Sequence, residues 1–164
     1  MIHAYDKSYL SSAQKNLARM LDYMVNDLKH SLETVWQWFL MSKTSHRFER
    51  GDCSVLSGMS GVELARMVLQ ESGQSIPDIR PSYACDRSPE YWTGWILAYL
   101  QWRLGESFED LLHVAPFDVL HNLYHPWHEA SEERVARLVC DMAKKEDFIV
   151  MGRCADVILT NNHI

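Results

Sequence analysis

The sequence predicts an all-α fold in which six or seven helices pack around one buried helix at residues 88–105. This stretch, SPEYWTGWILAYLQWRLG, begins with Ser88, a preferred N-cap residue, and Pro89, which suits the first helical position. Glu90 follows where the helix dipole favours an anion, and Gly105 is typical of the residue just past a helix. Large apolar side chains recur at helical spacing on two faces: Tyr91, Trp95, Ala98, Tyr99 and Trp102, then Trp92, Ile96 and Leu100. A helix that is apolar on nearly all sides belongs in the protein interior.

The length and composition favour one globular domain. The chain has 164 residues, of which 47% are hydrophobic and 23% charged, which suits a domain with a sizeable core. We therefore predict a single helical domain over residues 1–164, with its core at about 11–145. Residues 146–164 are ambiguous, because two β-prone runs flank Gly152, and they predict either a short β-hairpin or an extra helix.

The overall charge and the cysteines narrow the class of protein. The net charge of −6 disfavours a nucleic-acid binder, whose footprint is usually basic. The four cysteines are too scattered for a CxxC motif, so we expect reduced thiols. The N-terminus lacks a signal peptide's apolar segment, and no apolar run could span a membrane. The expectation is a soluble cytoplasmic protein without a cofactor, since no cofactor-binding motif is found.

The first third of the chain predicts two helices. Residues 1–10 suggest a mobile or loosely docked arm. Ser11 and Gln14 form a capping-box pattern that opens a helix with an apolar stripe, and this helix should run to about Lys29. Ser31 is the predicted N-cap of a second helix, which reaches Ser42 and restarts briefly at about 45–48.

The middle of the chain predicts a loop, a helix and a second loop. Residues 46–61 are rich in Gly, Ser and charge, which indicates a loop with at most one short turn. Ser60 and Glu63 form a capping box that opens a helix ending at Gly73. The next stretch, 73–87, contains two prolines and no periodicity. Long loops in compact domains are often functional or mobile, so we predict here a binding surface that moves.

The C-terminal half predicts three shorter helices. One begins at Ser107 and stops before Pro116, and another starts at Phe117 and ends before Pro126. A third is capped by Ser131 and carries lysines in its last turn, as the dipole favours.

Three histidines form the most metal-like group in the sequence. His121 and His125 are one helical turn apart, His128 follows, and Glu129 could add an oxygen ligand. However, Pro126 interrupts the helix that would have to carry His128, and the pattern matches no known zinc signature. Separate hydrogen-bonded or surface histidines remain the alternative.

A second candidate is a polar site at the 47–61 loop. Arg47, Glu49 and Arg50 precede glycines at the start of a helix, where free N–H groups favour phosphate. The segment lacks the known phosphate-loop patterns, and Glu63 would repel an anion. A tight turn with solvated charges is therefore the competing interpretation.

The charged residues at the ends of these segments suggest a third arrangement. We predict that Glu90, His128 and Glu129 pack against the 47–51 turn as a buried polar knot, because buried carboxylates need donors. Arg47 and Arg50 are the nearest suitable partners. Such a knot could supply acid–base groups, although a helix-dipole partner and a satisfied polar pair explain the same residues.

Three segments resemble a family of small uncharacterised bacterial proteins. They are FERGDCSVLSGMSGVELA (48–65), SPEYWTGWILAYLQW (88–102) and LYHPWHEA (123–130). The family's stretches are similar to FERGNPKYLAGMSGIELA, SPEYWAGWALAYYQW and LYPTLHEA. The resemblance covers about residues 15–142 and departs from the family at Cys53 and at the HPW before His128. Its members are often encoded beside putative ADP-ribosyltransferase-type toxins, which implies a protein partner and an antitoxin role. It implies no catalytic residues.

Two functions are therefore expected. The first is a non-enzymatic interaction protein in a bacterial toxin–antitoxin or defence module, which binds its partner through loops. The second is a small enzyme or ligand-binding protein whose polar site lies between the 47–61 loop and the N-terminus of the 88–105 helix. Convergence of the candidate side chains on one site would favour the second function.

Overall fold

The computed structural model describes residues 3–83 and 87–122, and this part of the chain is all-α, as predicted. It contains no strand and eight α-helices: α1 (Leu10–Asp22), α2 (Leu32–Met41), α3 (Lys43–Glu49), α4 (Cys53–Leu56), α5 (Gly61–Glu71), α6 (Pro89–Leu104), α7 (Phe108–Val114) and α8 (Phe117–Asn122). A 3-10 turn, Lys7–Tyr9, precedes α1, and a π-helical turn, Tyr23–Asp27, continues it. The short α3 and α4 raise the helix count above the predicted six or seven.

The helix α6 is buried on nearly all sides, as the sequence predicted, and packs along α1. Ten of its residues are buried, whereas only the ends and a few side chains reach solvent. The helix α1 also contacts α4 and α5, so the core is organised around the α1–α6 pair rather than around α6 alone. Gly94 allows the two backbones to approach closely, because a Cβ there would lie 2.7 Å from Ala18 Cα.

An aromatic cluster lies where α2, α3 and α7 meet beside α6. Phe108 is its centre, with ring centroids 5.4 Å from Trp36, 5.2 Å from Phe39 and 5.5 Å from Phe48. All four side chains are almost fully buried. Edge-to-face and tilted ring pairs of this kind add to the stabilisation from burial itself.

Most of the predicted helix starts are confirmed by side-chain caps. Ser31, Ser60, Ser88 and Ser107 each accept a hydrogen bond from a backbone N–H in the first turn of the following helix. At Ser60 the full capping box is present. The predicted cap at Ser11 is wrong, because α1 begins at Leu10, after the preceding 3-10 turn.

The N-terminal segment is docked, so the prediction of a loosely held arm is wrong for residues 3–9. The indole Nε1 of Trp102 donates to Tyr5 O at 2.8 Å, and Ala4 N donates to Trp102 O at 3.0 Å. The His3 ring stacks on the Trp102 indole with centroids 3.9 Å apart. Two hydrogen bonds and a stacked ring therefore fix this segment to the C-terminal half of α6.

The remaining predictions for the chain end lie outside the described residues. They are the helix after Ser131 and the hairpin or helix at 146–164. Among residues 3–83 and 87–122, no helix combines the length and apolar character that crossing a membrane requires.

Candidate functional site

The segment between α5 and α6 carries three of the four large hydrophobic side chains that are exposed in the described chain. We call its residues 74–83 the strap; they form no helix, turn or bend. Ile76 is 46% exposed, Ile79 42% and Tyr83 81%. Isolated exposed apolar residues are common, but a group of them on one segment is typical of a contact surface.

Three side chains from α1 and its π-helical turn hold the strap. The Tyr23 hydroxyl donates to Ile79 O at 2.7 Å, and the Asp27 carboxylate accepts from Ser82 N at 3.2 Å and from the Ser82 hydroxyl. The Arg19 guanidinium donates to Ser82 O. The Tyr83 ring lies over the same guanidinium, 4.6 Å from Cζ to the ring centroid, as in a cation–π pair. We call Arg19, Tyr23 and Asp27 the anchor residues.

The π-helical turn explains why the anchor residues share one face. In an α-helix, residues four apart drift around the axis by about 40° per step, so positions 19, 23 and 27 would diverge. Here Leu28 N donates to Tyr23 O at 3.0 Å, which closes a wider i→i+5 turn. Because this wider turn contains more residues, each residue rotates less about the helix axis. The rotation from Tyr23 to Asp27 is therefore opposite in sign to that from Arg19 to Tyr23.

A second layer of hydrogen bonds joins the anchor residues to the start of α6. Asp22 accepts from Arg19, from the Ser88 hydroxyl at 2.7 Å and from Asn26 Nδ2 at 2.9 Å. The same Asn26 nitrogen also donates to Glu90 Oε2 at 3.0 Å. Partly buried carboxylates are tolerated when hydrogen-bond donors satisfy them, as these donors do for Asp22 and Glu90.

Arg19 and two aspartates form an ion-pair network in this region, in which Arg19 Nε is buried without a hydrogen-bond partner among the described residues. The Arg19 and Asp22 side chains are 16% and 17% exposed, and Asp27 is 8% exposed. Arg19 lies between the two aspartates, with a guanidinium nitrogen 3.7 Å from Asp27 Oδ2. Within the part of the chain that the structure describes, no set of three or more His, Cys, Asp or Glu residues is placed to hold a metal ion. The described contacts of Arg19 and Asp27 are instead hydrogen bonds to the strap at Ser82.

Glu90 does not pack against the 47–51 turn, so that part of the predicted polar knot is wrong. Glu90 lies at the N-terminal end of α6, beside Asn26. The 47–51 turn lies near the other end, where Gln101 Nε2 donates to Glu49 O at 3.4 Å. Positions 90 and 101 are about 16 Å apart along a helix that rises about 1.5 Å per residue. His128 and Glu129 lie outside the described residues.

Arg47 has a local structural role. Its Nε donates to Asp52 Oδ2 at 2.8 Å, and its guanidinium donates to the Ser54 hydroxyl at 2.7 Å. Asp52 is the N-cap of α4, and the hydrogen bond from the Ser54 hydroxyl, followed by that from Arg47, lowers the Asp52 pKa to about 2. Arg50 is exposed, which does not fit the buried ion pair predicted for it.

The two remaining candidate glutamates are both used in helix capping. Glu49 Oε1 accepts from Phe108 N at 2.8 Å, at the first residue of α7. Glu63 accepts from Ser60 N at 2.7 Å, and hydrogen bonds from Ser60, the backbone one first, lower the Glu63 pKa. The donors at the start of α5 are thus partly used by the capping box, which weakens the case for a phosphate site there.

The predicted histidine metal group falls largely outside the structure. The backbone of His121 lies in α8, but its side chain, and all of His125 and His128, lie outside the described residues. Among the cysteines, Cys53 is exposed and free, and the other three are likewise outside.

Sequence reasoning found the strap but missed the residues that hold it. The length and prolines of the loop at 73–87 predict a binding surface that moves, whereas the structure holds this segment at Ile79 and Ser82 by hydrogen bonds to three side chains. Arg19, Tyr23 and Asp27 were assigned to an ordinary amphipathic helix. Their four-residue spacing, with Asp22 and Asn26 nearby on the same helix, was the available signal of a polar face near the helix end.

Comparisons with protein families, with curated proteins and with solved structures found no match to this chain.

Proposed function

We propose that the chain is a non-enzymatic interaction protein that binds a protein partner through its strap. The observation that carries this proposal is that the strap exposes Ile76, Ile79 and Tyr83 while its backbone is fixed at Ile79 and Ser82. Apolar side chains on a fixed segment lose little conformational entropy when they bind, so they suit a specific contact.

The resemblance of the sequence to small bacterial proteins supports the identity of the partner. We infer that the partner is the product of the neighbouring gene, a toxin of the ADP-ribosyltransferase type, and that the chain acts in the cytoplasm as its antitoxin. The net charge of −6 supports a protein rather than a nucleic acid as the partner. Interfaces use exposed aromatic and aliphatic anchors of the kind that the strap carries.

The experiment is co-expression with the tagged product of the neighbouring gene. The wild-type chain should copurify with it and suppress its toxicity in growing cells. Substituting both Ile76→Asp and Ile79→Asp should abolish copurification and protection, because two charges would be buried without partners. Both side chains are exposed in the free chain, so its stability should change by no more than about 0.5 kcal/mol per substitution.

The matched control is Lys7→Asp, which also changes the net charge by two. Lys7 is exposed in the 3-10 turn that follows the segment docked on Trp102. Trp102 is about 20 Å along α6 from its N-terminal end. The control should bind as the wild type does. Full binding by the double aspartate variant would exclude the strap as the contact surface, and a wild-type chain that neither copurifies nor protects would refute the antitoxin role.

A further inference from the structure

Among the described residues, the strap is hydrogen-bonded to the rest of the molecule almost entirely through the anchor residues. After Gln74 N, which donates to Leu69 O at 2.9 Å, residues 75–83 form no backbone–backbone hydrogen bond with any described residue. Within the described part of the chain, the hydrogen bonds of residues 75–83 are those to Tyr23, Asp27 and Arg19. The conformation of the strap between its ends therefore depends on three side chains.

We infer that Arg19, Tyr23 and Asp27 are positioning residues, which hold the strap in the conformation that binds the partner without contacting the partner themselves. This inference rests on the proposed function. It follows from the geometry, because all three hydrogen-bond to strap backbone atoms at Ile79 or Ser82. Asp27 also accepts from the Ser82 hydroxyl, and Arg19 lies beneath the Tyr83 ring, so both hold the strap from its inner side. Tyr23 is fully buried and Asp27 nearly so, so neither presents a surface to a partner.

Any variant in which the strap opens should therefore bind the partner with a lower apparent affinity. When only a fraction of molecules is binding-competent, the apparent Kd rises by the inverse of that fraction. If removal of two anchor hydrogen-bonding groups leaves the strap closed about one tenth of the time, the apparent Kd should rise about tenfold. The contact residues of the strap would be unchanged.

The test uses the full chain with Tyr23→Phe and Asp27→Ala, singly and combined. Tyr23→Phe deletes one hydroxyl and keeps the buried ring, so the core around it stays packed. Hydrogen–deuterium exchange at the Ser82 amide should accelerate in Asp27→Ala and in the double variant, while α6 amides stay protected. The apparent Kd for the purified neighbouring gene product, measured by titration calorimetry, should rise about tenfold in the double variant.

Asn26→Ala is the matched control. Asn26 belongs to the same π-helical turn, and its side chain donates to Asp22 and Glu90 rather than to strap residues 74–83. This variant weakens the network without removing an anchor, so Ser82 exchange and the apparent Kd should remain within about twofold of wild type.

The outcomes separate this inference from the proposed function. Faster Ser82 exchange together with weaker binding supports the positioning role. Faster exchange with an unchanged Kd overturns the positioning role and leaves the proposed function intact. Unchanged exchange in the double variant shows that the anchor residues do not hold the strap, and this also overturns it. Absence of binding by the wild-type chain refutes the proposed function itself.

Discussion

Replacement of Gly94 by alanine tests the central feature of this fold, the close approach of α1 and α6. A Cβ at position 94 would lie 2.7 Å from Ala18 Cα, 2.8 Å from Leu17 O and 2.9 Å from Ala18 N. All three are backbone atoms of α1 at buried positions, so no side chain can rotate away. The methyl group can be accommodated only if the two helices move apart.

The expected cost follows from two opposing terms. Alanine is favoured over glycine in a helix interior by about 1 kcal/mol. Overpacking a core costs typically about 1–3 kcal/mol, and the upper end applies because the obstructing atoms are backbone. Moving the helices apart by more than half an ångström would also forfeit about a quarter to a half of each contact's dispersion energy along the interface. We therefore expect Gly94→Ala to lower the free energy of unfolding by about 2 kcal/mol.

The assay is urea denaturation followed by far-UV circular dichroism, with thermal unfolding as a second measure. A loss of this size should lower the Tm by about 4–8 °C in a domain of this length. The control is the pair Lys15→Ala and Lys15→Gly, at an exposed position inside α1, where the alanine variant should be more stable by about 1 kcal/mol. If Gly94→Ala is as stable as the wild type or more so, α1 and α6 do not make this close contact.

Two further predictions concern single polar groups. The Asp52 pKa is lowered to about 2, chiefly by the Ser54 hydroxyl and then by Arg47, so the charged carboxylate stabilises the fold. That stabilisation is complete above about pH 4 and is lost as the pH falls through about 2. Asp52→Asn should therefore lower the urea midpoint at pH 7, and the difference from wild type should shrink over this range; a constant difference would contradict the assignment. The Tyr5 hydroxyl is buried without a hydrogen-bond partner, and burial raises its pKa. Tyr5→Phe should raise the free energy of unfolding by about 1 kcal/mol in the same assay, and a loss of that size would show that the hydroxyl is bonded.

The features that the sequence predicted well are those decided by neighbouring residues. The serine caps at 31, 60, 88 and 107 depend on a side chain and an N–H three residues later, so a local pattern is sufficient. The burial of α6 follows from its own composition for the same reason. The exception, Ser11, shows the limit of this rule, because the 3-10 turn capped by Asp6 starts the helical run earlier.

The candidate site was predicted less well because it depends on contacts between distant parts of the chain. The bond from Arg19 to Ser82 O joins residues 63 positions apart, and that from Tyr23 to Ile79 O joins residues 56 apart. The π-helical turn that aligns the anchor residues has no sequence pattern of its own. For the same reason the sequence predicts Glu90 beside Arg47 and Arg50, whereas the structure places it beside Asn26.

The placement of this largely buried ion-pair network bears on the proposed function as well as on stability. A network of buried charges is seldom more stable than well-packed apolar residues of similar volume, because desolvation offsets the attraction. Stability alone therefore does not explain why Arg19, Asp22 and Asp27 lie beside the N-terminal end of α6. Arg19 and Asp27 fix the direction of hydrogen bonds to Ser82, which an apolar contact cannot do, and Asp22 holds Arg19 in place. Directional contacts beneath a segment that exposes Ile79 and Tyr83 are what a preformed binding surface requires, since they define its conformation before the partner arrives.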